Sequence, residues 1–228
     1  MAVITINHLA FGWNRDSQVL DIPSLVIEAG EKVLIKGPSG SGKSSLLSLL
    51  AGITVPDSGD VSVLGQSTQD LGASQRDTFR ANHIGYIFQQ FNLLPYLTVA
   101  ENILLPLRFS ATRRQRAGGD TADIARKLIV ALGLPENLLS RPVTALSIGQ
   151  QQRVAAARAL IGEPELLIAD EPTSALDTDT RRQFIDLLMD ECHRAGSTLV
   201  FVSHDPALTP CFDRTIELLE INRVRGQA

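Results

Sequence analysis

The chain has 228 residues, of which 44% are apolar, and a formal net charge of −4. That is enough for one domain, or a core with a subdomain, and it supplies no global basic field for nucleic acid. Cys192 and Cys211 form neither a metal spacing nor a disulfide framework, residues 1–8 lack the regions of a signal peptide, and no apolar run reaches the roughly 18–20 residues that cross a bilayer. A soluble chain in a reducing compartment is expected, held at a membrane only by another protein.

Residues 3–6 alternate like an edge strand. A second strand pattern over 19–27 is interrupted at Pro23, which suits an edge or a bulge. A turn at 28–31 leads into the apolar run Val33-Leu34-Ile35, a buried strand. A helical run over 45–51 follows and closes at Gly52. After the turn signal Pro56-Asp57-Ser58-Gly59 come a short strand at 61–63, a helix around 74–80 and a strand at 84–88. Thr98 and Glu101 read as a capping box opening a helix. Residues 110–119, with Arg113, Arg114 and Arg116, show no apolar periodicity and read as an exposed loop, open to solvent or to anionic lipid. Residues 121–132 and 150–161 are amphipathic and alanine-rich helices respectively. The short apolar run 166–169 is a strand covered on both faces. A helix over 180–195 stopped by Gly196, a buried strand at 198–202 and a last strand near 213–219 complete the chain. Strands alternating with helices indicate an α/β fold with a mainly parallel core sheet, preceded by antiparallel strands. One domain over 1–228 is expected, with 1–89 and 161–228 as its core and 90–160 as an inserted helical subdomain.

Gly37-Pro38-Ser39-Gly40-Ser41-Gly42-Lys43-Ser44 fits G-x-x-x-x-G-K-[ST] between that strand and that helix. Such a loop turns backbone N–H groups inward as an anion nest, reinforced by the helix dipole. Lys43 supplies charge for the β- and γ-phosphates, and Ser44 supplies a hydroxyl for Mg²⁺. Ser45 opens the helix behind. The strand at 166–169 ends in Asp170-Glu171-Pro172, which puts one acid where it can meet Mg²⁺ and the next where it can polarise water. His8, His83 and His193 share no metal spacing and read as surface groups.

Five segments in this order resemble the ATP-binding-cassette (ABC) ATPases: the P-loop, Gln89 after a strand, Leu146-Ser147-Ile148-Gly149-Gln150-Gln151-Gln152-Arg153, Ser174-Ala175-Leu176-Asp177 after Asp170-Glu171, and His204 after Phe201-Val202-Ser203. The resemblance covers nearly the whole chain and implies a P-loop NTPase fold. It also implies ATP and Mg²⁺ as cofactors, and a head-to-tail dimer in which one chain's P-loop and the other's signature segment share each nucleotide. Ser147, Gly149 and Gln150 would then meet the γ-phosphate, and Asp177 would report across the interface. Glu171, His204 and Gln89 would be catalytic, with Ser44, Gln89 and Asp170 around the metal. Trp13 would stack on adenine, with Phe11 as the alternative. The family usually has glycine where Ile148 stands. A β-branched residue tolerates positive φ poorly, so ordinary helical φ is expected there, with the side chain turned from the phosphate and a weaker capture of ATP open to test.

Residues 89–103 resemble the branch that includes the lipoprotein-releasing (LolD), macrolide-exporting (MacB) and cell-division (FtsE) cassettes. That implies an ATPase subunit at the inner face of the cell membrane, with an integral permease subunit docking near 89–103. The alternative is a soluble ABC ATPase of translation or DNA maintenance. Those types usually have two P-loops or long coiled coils, and neither occurs here. A small P-loop kinase would lack the signature segment and His204.

Overall fold

Period-two alternation of apolar residues builds the first part of the molecule. The structure is a computed structural model that describes residues 1–14, 17–174 and 176–224. Two compact units divide the chain, Met1–Arg80 with Thr198 onward, and Ala81–Ser197. The sequence-derived subdomain boundaries 90 and 160 both fall inside the second unit.

The first unit opens with β1 (Ala2–Asn14), β2 (Ser17–Glu28), β3 (Lys32–Lys36), α1 (Lys43–Leu50), β4 (Ser58–Val63), β5 (Gln66–Ser67) and α2 (Ala73–His83), the last of which carries the chain into the second unit. β1 is not an edge strand as its alternation suggests. It lies inside an antiparallel sheet of order β2-β1-β4-β5, with Ile6 opposite Leu25 on one side and Val61 on the other. The sequence shows one strand's alternation but not which neighbours claim its two edges. β2 is the edge, which is why Pro23 is tolerated: its missing N–H faces no partner strand.

In the second unit β6 (Ile84–Ile87) is followed by α3 (Val99–Phe109), α4 (Ala111–Ala117), α5 (Thr121–Ala131), α6 (Ile148–Leu160), β7 (Leu166–Asp170) and α7 (Thr178–Ala195). β6 and β7 pair in parallel, Ile84 with Leu166 through Ile87 with Ala169. β6 runs so close to α6 that a Cβ on Gly85 would stand 2.3 Å from the Ala159 carbonyl oxygen, so only glycine fits. The capping box at Thr98 is present, with the hydroxyl accepting from the Glu101 amide and the Glu101 carboxylate accepting from Thr98 N–H. That amide, with the Thr98 hydroxyl, holds the Glu101 carboxyl below its usual range.

Residues 110–119 are not a loop. Ser110 caps α4 by accepting from the Arg113 amide, and Arg113 itself is 2% exposed. Its guanidinium donates to the carbonyl oxygens of Ala159, at 2.6 Å, and Ile161, at 2.8 Å, where α6 runs out of intrahelical donors. Burial brings the Arg113 pKa down to about 10; the charge of Arg116 acts the same way and Glu165 opposes it. Arg116 pairs with Glu165, which also meets His83 Nδ1 at 3.0 Å. The turn is helical because one buried arginine ends another helix, a contact 46 to 48 residues distant and invisible to periodicity.

The chain returns to the first unit with β8 (Thr198–Val202), β9 (Arg214–Glu217) and α8 (Leu218–Ile221). β3 pairs in parallel with β8 on one side and β9 on the other. Val33, Leu34, Ile35 and all of β8 are buried, as continuous apolar runs in a covered parallel sheet must be. Among the described residues no helix is long and apolar enough to cross a membrane.

Candidate nucleotide site

In the first unit the expected phosphate loop joins β3 to α1. Pro38, Ser39 and Gly40 are exposed at its crown. Gly42 is the N-cap of α1 with φ 97°, and a Cβ there would stand 2.8 Å from Leu20 Cδ2. Both the backbone angle and the space require glycine. Lys43 is 8% exposed, and its ammonium donates to the carbonyls of Gly37, at 2.8 Å, and Pro38, at 2.9 Å. The ammonium thus lies over the loop's carbonyls, while the amides at the start of α1 are of the kind that bind anions. Ser44 is exposed on the first turn. Ser41 is buried and its hydroxyl has no protein partner. Ser45 accepts from the Trp13 indole N–H at 3.1 Å, which ties β1 to α1.

Trp13 is 63% exposed, whereas Phe11 is 5% exposed and meets it edge-on, with ring centroids 5.2 Å apart. Both border an open cavity of about 760 Å³ with Ala10, Gly12, Asn14, Gln18 and Asp57. The exposed face for a flat ring therefore belongs to Trp13. His204, two residues beyond β8, is also exposed. Asp205 behind it caps the next turn by accepting from the Ala207 amide.

The second unit carries the other expected residues. Gln89 is exposed in the turn after β6. Asp170 ends β7, half-buried, and Glu171 follows with φ 43°. A non-glycine residue in the left-handed region stores roughly 1–3 kcal/mol of strain, and such residues cluster at working sites. Burial, with Asp170's charge adding to it, pushes the Tyr86 phenol well up. Ser147 caps α6 in a capping box: its hydroxyl oxygen accepts from the Gln150 amide at 3.3 Å, and its own N–H donates to Gln150 Oε1 at 3.0 Å. The amides of Ile148 and Gly149 remain without intrahelical acceptors, as at any helix start. Ile148 is 55% exposed with ordinary negative φ, as its β-branched side chain demands. Asp177 caps α7 by accepting from the amide and hydroxyl of Thr180, which hold its carboxyl below the usual range. Ala175 lies outside the described residues.

Sequence reading missed three side chains that shape this unit. Arg158 donates to the carbonyls of Phe91 and Asn92, Arg113 ends α6, and buried Asn102 holds both backbone groups of Leu94. Each is a polar side chain serving remote backbone, and only an odd polar residue in an otherwise apolar helix face hints at it.

The expected metal ligands, Ser44 in the first unit and Gln89 and Asp170 in the second, are each oxygen donors of the kind a hard cation takes. Hydroxyl and carboxylate oxygens dominate, and the described residues contain no cluster of three or more His, Cys, Asp or Glu that could hold a metal alone. Mg²⁺ characteristically takes one or two protein oxygens and completes its shell with phosphates and water.

Comparison with protein families matches residues 20–174 to the ABC transporter family. The ABC transporter ATP-binding protein YbbA of Escherichia coli is 39% identical over 95% of this chain and 94% of its own length. The probable export ATP-binding/permease protein MacB of Pseudomonas entomophila is 41% identical over 90% of this chain, which spans only 30% of that longer protein. Among solved structures, a dimeric post-hydrolysis state of the ATP-binding cassette MJ0796, bound to ADP and Pi, superposes with a TM-score of 0.84 at 33% identity, over 98% of this chain and 100% of that one.

Proposed function

This chain belongs to the ABC transporter family and is an ATPase, and we propose that it drives a membrane complex as a head-to-tail dimer of two cassettes. The observation that carries the reading is that one chain owns two helix starts of the kind that binds phosphate, Gly42–Ser44 in one unit and Ser147–Gln150 in the other, with Ser44 and Ser147 exposed. Two copies arranged head to tail use both kinds on each nucleotide. The dimeric cassette structure supports that arrangement.

In this reading Gly37 to Gly42 cradle the phosphates, with Lys43, Ser44 and Ser45 on the helix behind. Trp13 stacks on adenine. Ser147, Gly149 and Gln150 of the second copy close over the γ-phosphate. The Ser147 hydroxyl oxygen is engaged by the Gln150 amide, so its proton is the part that reaches outward. Mg²⁺ held by Ser44, Asp170 and Gln89 neutralises charge developing on the phosphates. Glu171 accepts a proton from, or orients, the attacking water, and its left-handed backbone is strain of the kind that clusters at working sites. His204 contacts the γ-phosphate, and Asp177 meets the facing copy.

The membrane partner is a separate permease subunit docking near residues 89–103, which holds the cassette at the inner face of the cell membrane. Tyr96, 78% exposed, offers an apolar anchor there. The complex is of the export, extraction or force-transmitting type, and the MacB likeness supports export.

Glu171→Gln tests the scheme. It retains ATP, loses at least about 100-fold in turnover, and accumulates as a dimer under Mg·ATP in light scattering. A monomer under saturating Mg·ATP would refute the shared-nucleotide dimer. Absence of any membrane subunit on purification from native membranes would favour the soluble alternative.

A further inference from the structure

Arg158 lies in the last turn of α6, 8% exposed, and none of the roles above uses it. Its two terminal nitrogens donate to two successive carbonyls, Asn92 at 2.6 Å and Phe91 at 2.5 Å. Burial lowers its pKa. The residues it grips are unusual: Phe91 and Asn92 have φ of 59° and 49°, two consecutive non-glycine residues in the left-handed region. Such a pair persists only where its surroundings over-determine it.

The bend continues directly from Gln89. The Phe91 amide donates to the Phe88 carbonyl at 3.0 Å, and the Asn92 amide to the Gln90 carbonyl at 2.6 Å. Gln89 and Gln90 are thus the two corner residues of a turn whose entry is β6 and whose exit is bolted by Arg158. The entry is tied to the same helix, because β6 passes against the Ala159 carbonyl where only Gly85 fits. Both ends of the Gln89 turn therefore register on the C-terminal turn of α6. The opposite end of that helix is the Ser147 cap, and thirteen helical residues form one stiff rod.

We propose that Arg158 is a positioning residue for ATP hydrolysis, which makes the placement of Gln89 depend on the helix that carries Ser147. When Ser147 engages the second copy's nucleotide, any shift of α6 moves the Phe91–Asn92 bend, and Gln89 with it. The planar guanidinium suits this task, since its rigid fork fixes the direction of both bonds, whereas an ammonium on a flexible stem does not. The inference rests on the roles given above to Gln89 and Ser147.

The experiment is a double-mutant cycle on the full chain with Arg158→Lys and Gln89→Ala, reading steady-state ATPase against Mg²⁺ and, separately, ATP binding without turnover. Arg158→Lys should lower kcat by about 10–100-fold, the upper figure being the order for a group displaced by about 1 Å. It should raise the Mg²⁺ concentration for half-maximal rate and leave ATP affinity unchanged. Added to Gln89→Ala it should cost no more than about two-fold further, because both act through one side chain. Asn92→Val provides a second route, since Asn92 is exposed and a β-branched residue resists positive φ. It should reproduce the loss with the buried arginine itself unchanged, by moving the carbonyl that the arginine binds. Wild-type rates in Arg158→Lys and Asn92→Val, or losses that multiply with Gln89→Ala, would overturn the Arg158 proposal while leaving Gln89's role standing. A wild-type rate in Gln89→Ala would instead remove the reading on which it rests.

Discussion

The loop before α1 and the cap of α6 both open helices, whose free amides are of the kind that bind anions, yet they are held in opposite ways. The loop is held by itself: Gly42 supplies the backbone angle, and Lys43 donates to carbonyls five and six residues earlier. The signature helix is held by others. Its C-terminal carbonyls are closed by Arg113, and its own Arg158 reaches back more than sixty residues to Phe91 and Asn92. A local device can be changed without loss of fold, whereas a distributed one cannot. Substitutions in the two regions should accordingly separate binding from stability.

Lys43→Ala is the strongest probe on the loop side. Losing a charged hydrogen-bond donor to phosphate should weaken ATP binding by about 10–100-fold, read by isothermal calorimetry, while the urea midpoint stays near that of the parent. A large fall in that midpoint would break the contrast.

Arg113→Met is its counterpart. It leaves the carbonyls of Ala159 and Ile161 without a buried donor and should cost about 3 kcal/mol in urea unfolding, with ATP affinity little changed. Asn102→Leu removes the bonds to the Leu94 amide and carbonyl and those to the carbonyls of Leu97 and Thr98, and should cost about 2 kcal/mol in the same assay. Equal losses of ATP affinity in either variant would show that the two regions are not independent.

Ile148→Gly should give the smallest effect. The backbone there is already helical, so only the exposed side chain is removed. ATP-driven dimerisation in the Glu171→Gln background should tighten modestly, seen as a lower Mg·ATP concentration at half-dimer. No change would mean that the isoleucine turns fully away from the nucleotide.

What could be read in the sequence follows the same division. The glycine-rich loop between strand and helix, the capping box at Thr98 and the buried strand before Asp170 are written in contiguous residues, and each is found where its pattern puts it; the second capping box, at Ser147, emerged only in the structure. The helix at Ala111–Ala117 was hidden because its anchor is a charge: Arg113 counts as polar in any periodicity, yet it is among the most buried side chains of its unit. The left-handed backbone at Phe91, Asn92 and Glu171 was equally hidden, since none is glycine. β1 read as an edge because alternation reports one face of a strand, while its neighbours are decided by chain elsewhere.

The tie between β1 and α1 also has an optical consequence. Trp13 is the chain's single tryptophan, and it stands largely in solvent at the mouth of the cavity, its indole N–H held by Ser45. Its emission is therefore an unlabelled reporter from one known spot. In the proposed reading a base stacked on the ring should quench or blue-shift the spectrum, and a stopped-flow cell with the native polypeptide would follow that change on adding nucleotide.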